Sequence, residues 1–266
     1  MNRRTFCALL STLPLAACPA ADDFISFEPQ GEAKGKHIVL ISGDEEYRSE
    51  EGLPMLAKIL SKHHGFKTTV LFSVDKEGFI DSNNQASLTN PTALDSADAI
   101  VMLIRFRHWP DEAMKHFHAA VQRGVPIIGL RTATHAFNMA KDSTYGAWAW
   151  NNKEGGFGRI FLGETWVSHW GKHRAEATKG VIEATAKDHP VLRGVSDLFG
   201  TTDVYEAAPP ADAVILARGQ VLAGMEPTSP PASYRKKNRA GVEQDVNDPM
   251  MPIAWAREVK NEAGKT

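Results

Sequence analysis

The sequence predicts an α/β fold in which a doubly wound, mostly parallel sheet is flanked by helices. Short continuous apolar runs are typical of strands that are buried on both faces. Polar turn residues follow these runs directly, and amphipathic segments with a helical period lie between several of them. The runs occupy residues 36–42, 67–73, 99–104 and 125–130. Strands that alternate with helices in this way favour a parallel sheet with right-handed crossovers.

Two helices are expected in the first half of the chain. The first follows the strand at 36–42 and ends at Gly65, because glycine commonly terminates helices. Its apolar face consists of Leu53, Leu56, Ala57, Ile59 and Leu60. The second helix extends from Pro110 to Gly124, and its apolar face consists of Met114, Phe117, Ala120 and Val121. A third helix is expected to start directly after the strand at 125–130.

The second half of the chain is less regular. Residues 144–162 are rich in Gly, Asn and Trp, which predicts a long surface loop or lid. Further strands are predicted near residues 180–185, 202–206, 213–217 and 251–256. We expect a single α/β domain over residues 37–266. The chain stops at Gly-Lys-Thr, which usually turns into a following strand, so the domain is expected to lack its final strand and helix.

The N-terminus predicts an export signal over residues 1–18. Two arginines form a basic start, and the apolar run after them is too short to span a bilayer. Residues 15–18, Leu-Ala-Ala-Cys, resemble a bacterial lipobox in which the Cys18 thiol is lipidated, whereas an ordinary signal peptide cut at a nearby alanine is the alternative. We therefore expect an exported protein, either periplasmic or anchored to the membrane only through Cys18. Residues 19–36 are expected to form a polar tether.

Composition excludes several functional classes. The 266 residues include 30 basic and 32 acidic side chains, a balance that gives no reason to expect a nucleic-acid partner. Cys7 and Cys18 are the only cysteines, and both lie in the predicted export signal. The domain therefore has no cysteine nucleophile. The sequence does not predict an oligomeric state.

Polar residues follow three of the predicted strands at the points where the strands end. In an open α/β sheet, ligands bind at the carboxyl ends of the strands, so these positions predict a functional site. The candidates are Glu46, Tyr47, Arg48, Arg105, Arg107, Arg131, Thr132 and His135.

Structural roles are the alternative for each of these residues. Arg105 and Arg107 share one face of an extended segment, where they could form a fork for anions or hydroxyls. The same two arginines could instead pair with Asp44 or Glu46. Thr132 could simply cap a helix.

A metal site is a further hypothesis. His169 and His173 are four residues apart, a spacing that places both imidazoles on one side of a helix. With His135 as a third ligand they could hold a divalent ion such as zinc, although paired histidines are more often surface or core residues. Trp170 and its neighbour Trp166 could offer a stacking platform for a sugar, or belong to the core. Tyr205, together with Asp203 and Glu206, could close the other side of the cleft.

Several separated segments resemble the trehalose-utilisation, or ThuA-like, family. They are the Ser-Gly-Asp-x-Glu-Tyr-Arg-Ser-Glu-Glu stretch at 42–51, the Gly-Leu-Arg-Thr-Ala-Thr-His-Ala-Phe stretch at 129–137, the pair Arg105 and Arg107, and His-x-Pro-Val-Leu-x-Gly near 189–194. The resemblance implies a flavodoxin-like sheet related to class I glutamine amidotransferases. It also implies a role in the uptake and breakdown of trehalose and other sugars, especially through 3-keto sugar intermediates.

The residues themselves disfavour glutaminase chemistry. In the amidotransferase relatives the turn after the equivalent strand carries the nucleophilic cysteine, and here Arg131 or Thr132 takes that place. An arginine stays protonated and offers no nucleophilic lone pair, and a threonine needs an adjacent base.

The leading hypothesis is a carbohydrate-active domain that acts on a keto-sugar or glycoside by general acid/base chemistry. His135 would transfer the proton, Glu46 and Thr132 would assist, and the arginines would hold hydroxyl or carbonyl oxygens. Such an enzyme would be a hydrolase, lyase or isomerase. The alternatives are a non-catalytic carbohydrate- or partner-binding module, and an amidotransferase-like subunit with no site.

Overall fold

The computed structural model describes residues 24–153 and 155–266. The predicted export signal, including Cys7 and Cys18, lies outside the described residues. Part of the predicted tether is a strand, since β1 (Phe24–Phe27) pairs antiparallel with the edge of the main sheet. No helix among the described residues combines the length and the apolar character needed to cross a membrane.

The first half of the chain forms a five-stranded sheet. Its parallel strands are β2 (His37–Gly43), β3 (Lys67–Leu71), β4 (Ala99–Ile104) and β5 (Ile127–Gly129). The strand order is β1-β3-β2-β4-β5, and β2 pairs with β3 on one side and β4 on the other. The apolar runs at 36–42, 67–73 and 99–104 therefore form the inner parallel strands of this sheet, as predicted. The run at 125–130 was expected to be buried on both faces as well, but β5 is a short edge strand in which Ile128 is 54% exposed, because no further strand pairs with it among the described residues.

Two helices cover opposite faces of this sheet. On β2, Leu40 packs with α1 (Ser49–His64), whereas its neighbours Val39 and Ile41 belong to the cluster that contains residues of α2 (Asp111–Gln122). This division follows from the alternation of side chains along a strand. Both faces are buried, which explains why the strands are apolar at nearly every position.

Gly65 ends α1, as the sequence predicts. Its φ of 70° lies in the left-handed region, and an added Cβ would meet the backbone oxygen of Glu32 at 2.1 Å. Glycine is therefore required here both by the backbone conformation and by the close approach of another segment.

The third predicted helix is limited to a 3₁₀ turn at Arg131–His135. The backbone N–H of Phe106 donates to the oxygen of His135, and that of Arg107 donates to Ala136, so the loop after β4 takes the acceptors that a helix would need. Phe137 forms a bridge with Arg107. The prediction of a full helix was wrong because tertiary pairing replaces helical pairing.

The described residues of the segment predicted as a surface loop, 144–153 and 155–162, are anchored in the core. Trp148 and Phe157 are buried and pack against Phe117 and Phe137 of the core. The aromatic side chains of this irregular segment fill the space beside α2, which explains why it lacks a clean period yet is fixed in place.

The second half of the chain forms an antiparallel sheet in the order β11-β8-β6-β7. Its strands are β6 (Thr178–Ile182), β7 (Leu198–Gly200), β8 (Val214–Val221) and β11 (Met251–Ala256), and β9 (Arg235–Lys237) with β10 (Glu243–Asp245) forms a separate ribbon. The predicted strand at 202–206 is a loop with one bridge between His169 and Tyr205. The fold is α/β, but the mostly parallel description holds only for the first sheet.

Candidate functional site

Three loops meet at the carboxyl ends of the parallel strands. The Nε of Arg105, after β4, donates to Glu45, after β2, at 3.1 Å. The guanidinium of Arg131, after β5, donates to the hydroxyl of Tyr47, after β2, at 3.1 Å. The strand ends of the parallel sheet therefore carry one connected polar site, in the place that strand topology predicts.

The floor of this site is buried. Asp44 is fully buried and accepts hydrogen bonds from the backbone N–H groups of Glu46 at 2.7 Å and Tyr47 at 3.1 Å. The hydroxyl of Thr132, which is also fully buried, donates to the Asp44 carboxylate. Thr132 thus holds two loops together and cannot reach a substrate, which corrects its prediction as a catalytic residue.

Arg107 is also part of the floor. Its side chain has no exposed surface and donates to Glu45 at 3.0 Å and to the backbone oxygen of Arg105 at 2.6 Å. Burial lowers the pKa of Arg107, with the nearby carboxylate of Glu45 opposing the shift. The prediction of Arg107 as a substrate-binding residue was wrong, because only Arg105 of the pair reaches the surface.

Arg105 bridges two carboxylates, Glu45 and Glu46, and its side chain is 22% exposed. The arginines after β4 are therefore salt-bridged, but to Glu45 and Glu46 and not to Asp44. Arg48, which follows Tyr47 directly, is exposed and pairs with Glu51 on the first turn of α1. Its role in substrate binding stays a prediction.

Above the floor lies a group that we call the histidine–carboxylate cluster: Glu46, His169, His173 and Asp203. The Nδ1 atoms of His169 and His173 lie 2.9 and 3.0 Å from the two carboxylate oxygens of Asp203. The other ring nitrogen of His173 lies 3.1 Å from Glu46. The Asp203 side chain is fully buried, whereas the side chains of the two histidines are about one-third exposed.

Backbone pairing in the second half of the chain positions this cluster. The backbone N–H of Trp170 donates to Val204 at 2.8 Å, and that of Glu206 donates to Ser168 at 2.9 Å. These bonds align the segment around His169 with the segment around Asp203. The cluster therefore joins a loop of the parallel sheet to loops beside the antiparallel sheet.

Arg131 connects the cluster to the floor. It donates to the backbone oxygen of Asp203 at 2.7 Å and to the carboxylate of Asp203 at 3.2 Å. Its φ of 42° is in the left-handed region, a strained conformation for arginine that such contacts can offset. Arg131 thus fixes the buried carboxylate on which both histidines converge.

His135 lies beside the cluster but is not a member of it. Its ring is 3% exposed and packs against Phe106, Trp166 and Tyr205 at centroid distances of 5.0 to 6.2 Å. Burial, with the positive charges of the neighbouring arginines, lowers the pKa of His135 to about 3. Burial therefore favours the neutral form of its ring at neutral pH. The group of residues that could hold a metal ion contains Asp203 in addition to His169 and His173, where the sequence predicted His135.

The aromatic residues divide into core and cleft. Trp170 is fully buried and its Nε1 donates to the backbone oxygen of Val246 at 2.8 Å, so it is a core residue and not a stacking platform. Trp166 is half-buried and contacts His169 at 5.7 Å between ring centroids. The guanidinium carbon of Arg131 lies 3.5 Å from the centre of the Tyr205 ring, and burial raises the pKa of Tyr205.

Asp203 has only a weak signal in the sequence. It lies in a weakly patterned segment, and its contacts with His169 and His173 depend on how two distant loops pair. Glu45 belongs to the same run of carboxylates as Glu46, and the sequence favours Glu46 over it. Three consecutive carboxylates and two nearby arginines at strand ends are nevertheless a signal for the ion pairs that the structure shows.

A cavity of about 550 Å³ lies between β5 and the antiparallel sheet. Its walls are largely apolar and include Ile128 and Trp255. Two carboxylates on its wall, those of Glu164 and Glu206, are engaged by Arg239. Arg131 and Tyr205 also line it, so this cavity adjoins the histidine–carboxylate cluster.

Comparison with known proteins identifies the family. A crystal structure of a ThuA-like protein from Parabacteroides merdae is similar to this chain with 16% sequence identity and a TM-score of 0.46, covering 79% of this chain and 77% of that one. No protein with a curated description matches the sequence. The family model for ThuA, described as trehalose utilisation, matches residues 38–266. The chain therefore belongs to the ThuA trehalose-utilisation family.

Proposed function

We propose that this chain is a carbohydrate-active domain that acts on a keto-sugar or glycoside by general acid/base chemistry, without a cysteine nucleophile. Membership of the trehalose-utilisation family supports a sugar-related role. The observation that carries the proposal is the contact between the partly exposed carboxylate of Glu46 and a ring nitrogen of His173, at 3.1 Å.

Glu46 is the acid/base group in this proposal. Its carboxylate is 20% exposed and is held by Arg105 and His173. A carboxylate fixed by two partners can accept a proton from a sugar hydroxyl or from a carbon next to a carbonyl, and then return it. Preorganised partners reduce the rearrangement that proton transfer requires. Glu46 therefore takes the role first predicted for His135.

The surrounding side chains suit a sugar. Trp166 presents an aromatic ring beside His169, and aromatic rings pack well against the apolar face of a pyranose. Arg105 and His169 lie on the exposed side and can donate hydrogen bonds to hydroxyl or carbonyl oxygens. The site thus combines an apolar surface with a few directed polar groups, as small-molecule sites usually do.

Turnover of oxidised disaccharides and of simple glycosides by the purified domain tests this function. We expect Glu46→Gln to lower turnover by about 100-fold or more, within the usual range for general acid/base groups. Glu51→Gln, an exposed change on α1, is the matched control and should keep the wild-type rate. Wild-type turnover by Glu46→Gln would refute the assignment of the acid/base group.

A binding module is the second candidate. The observation that favours it is that Glu46, Asp203, Arg105 and Arg131 all have ion-pair partners within the protein. This candidate predicts that calorimetry detects binding of the sugar while chromatography finds the sugar unchanged. Consumption of the sugar excludes it.

We also infer a doubly wound, flavodoxin-like arrangement for the first sheet. The order of its parallel strands, β3-β2-β4-β5, and the placement of α1 and α2 on opposite faces support this inference. An experimental structure of the domain would test both features directly.

Export is a further proposal, supported by the basic and apolar character of residues 1–18. We expect the full chain to fractionate with membranes through a lipid on Cys18, and Cys18→Ala to release it. Retention of both forms in the cytosol would contradict export.

A further inference from the structure

We propose that His169, His173 and Asp203 form a binding site for a divalent first-row transition-metal ion, with Glu46 supporting His173 from outside. This inference deepens the proposed function, because the ion would be placed next to the proposed acid/base group. It differs from the expectation drawn from the sequence, in which His135 was the third ligand.

The three donor atoms already converge. The Nδ1 atoms of His169 and His173 lie 2.9 and 3.0 Å from the Asp203 carboxylate oxygens, and one donor atom from each residue lies within 4.8 Å of the others. Neighbouring ligands of a six-coordinate ion bound at about 2.1 Å are about 3.0 Å apart. The observed spacing therefore suits an ion with only small movements of the side chains.

The second nitrogen of His173 provides an independent observation. It lies 3.1 Å from the carboxylate of Glu46. Histidines that bind metals almost always use their other ring nitrogen to donate to a carboxylate, a carbonyl or water, which fixes the ring and its tautomer. Glu46 stands where such a partner is needed.

A neutral His173 ring cannot donate hydrogen bonds to both of the carboxylates that its nitrogens face. A neutral imidazole carries one N–H, yet both of its ring nitrogens face carboxylate oxygens, at 3.0 and 3.1 Å. If the N–H points to Glu46, the Nδ1 lone pair faces the lone pairs of Asp203. A metal ion at that point converts a repulsive contact into two ligand bonds, whereas a second proton on the ring is the competing solution.

Three protein ligands leave coordination positions open. Two imidazoles and one carboxylate are the donor set of sites that bind iron(II) or related ions and keep room for a substrate. The side chains of His169 and His173 are 36% and 30% exposed, so solvent or a ligand can reach them. The open positions suit two adjacent oxygens, such as the carbonyl and neighbouring hydroxyl of a keto-sugar.

Direct metal binding to the full chain tests the proposal. The protein is treated with a chelator, dialysed and titrated with ZnCl₂ or MnCl₂ by calorimetry, without sugar. We expect one ion per chain for at least one of the two metals. His169→Ala and His173→Ala should each weaken binding by about 100-fold or more, because removal of a ligand costs more than the loss of an outer-shell partner. Glu46→Gln should weaken binding by about 10-fold, because it replaces the charged acceptor of the second ring nitrogen with a neutral amide.

His116→Ala is the matched control. His116 contacts Asp95 at 2.8 Å, so it forms a histidine–carboxylate pair, and no second histidine joins this pair among the residues that the structure describes. Its replacement should leave metal affinity unchanged. Unchanged melting temperatures of the metal-free variants show that they are folded, and the ion should raise the melting temperature of wild type and His116→Ala but not of His169→Ala.

The proposal is overturned if neither ion binds, or if wild type and His169→Ala bind equally. Sugar turnover is measured separately, before and after chelation. Turnover that persists in a chain that binds no ion refutes the metal site and leaves the proposed function standing. Ion binding without sugar turnover supports the metal site and refutes the enzymatic function.

Discussion

The guanidinium of Arg131 lies over the ring of Tyr205, with its carbon 3.5 Å from the ring centre. Arg131 belongs to the loop after β5, whereas Tyr205 and the Arg131 partner Asp203 belong to the second half of the chain. Stacking, two hydrogen bonds to Asp203 and a contact with Tyr47 all meet at this one side chain. Arg131 is therefore a main connection between the two halves of the molecule.

Arg131→Lys should destabilise the protein by about 1 to 3 kcal/mol, because lysine cannot reproduce the forked hydrogen bonds or the stacking around the buried Asp203. Lysine keeps the same charge and the same backbone strain, so the loss reports on these contacts. Urea unfolding measures the effect. Arg48→Lys, at an exposed position, is the control and should change the free energy of unfolding by less than about 0.5 kcal/mol. Equal effects at both positions would contradict the structural role of Arg131.

His135 should make stability depend on pH. Its pKa is lowered from 6.5 to about 3 in the folded protein, so between these values the unfolded chain binds the proton more readily. Stability is therefore complete above about pH 6.5 and falls as the pH drops toward 3, by at most about 5 kcal/mol.

Unfolding of His135→Asn across this pH range isolates the contribution. The variant cannot titrate there, so its stability should decline less steeply with acid than that of the wild type. His63→Asn changes an exposed histidine on α1 and should keep the wild-type slope. Identical slopes for wild type and His135→Asn would show that His135 is not held neutral by burial.

Thr132→Val should destabilise the protein by about 1 to 3 kcal/mol, because it removes the hydrogen bond to the fully buried Asp44 carboxylate. Thr132→Ser should keep most of the stability, since the hydroxyl remains. Thr92→Val, at an exposed threonine, serves as the control. If Thr132→Ser retained full stability but lost all sugar turnover, a role in chemistry would have to be reconsidered.

The two tryptophans near the site should respond differently to substitution. Trp170→Phe removes the hydrogen bond to Val246 and some core volume, so it should reduce stability by about 1 to 3 kcal/mol without weakening sugar binding. Trp166→Ala should weaken sugar binding by about 10-fold with a smaller loss of stability. Calorimetry with an oxidised disaccharide and urea unfolding measure the two effects. Weaker sugar binding by Trp170→Phe with unchanged stability would indicate that Trp170 contacts the sugar.

The first sheet could be predicted from the sequence because its signals are local. A strand such as β4 is apolar along its whole length, and the polar residues after it must lie at its carboxyl end. How deeply each side chain of a loop is buried could not be predicted in the same way. Arg105 and Arg107 look alike in sequence, yet one reaches the surface and the other is completely buried, because loop packing decides which side chain points inward.

The second half of the chain depends on pairing between distant segments. His169 meets Asp203 only because the segments around them form backbone hydrogen bonds, and neither segment has a periodic pattern that predicts this. This separation along the chain also explains why the sequence favours His135 over Asp203 as a partner for the two histidines. His135 follows a clearly apolar strand, whereas Asp203 lies in a weakly patterned segment.

Glu46 is carried by the parallel sheet, whereas His169, His173 and Asp203 are carried by loops of the other half. A molecule that contacts all four can therefore bind fully only when the two halves are docked together. By linkage, its binding would oppose their separation, so saturation with such a ligand should slow cleavage by proteases at the seam between the sheets.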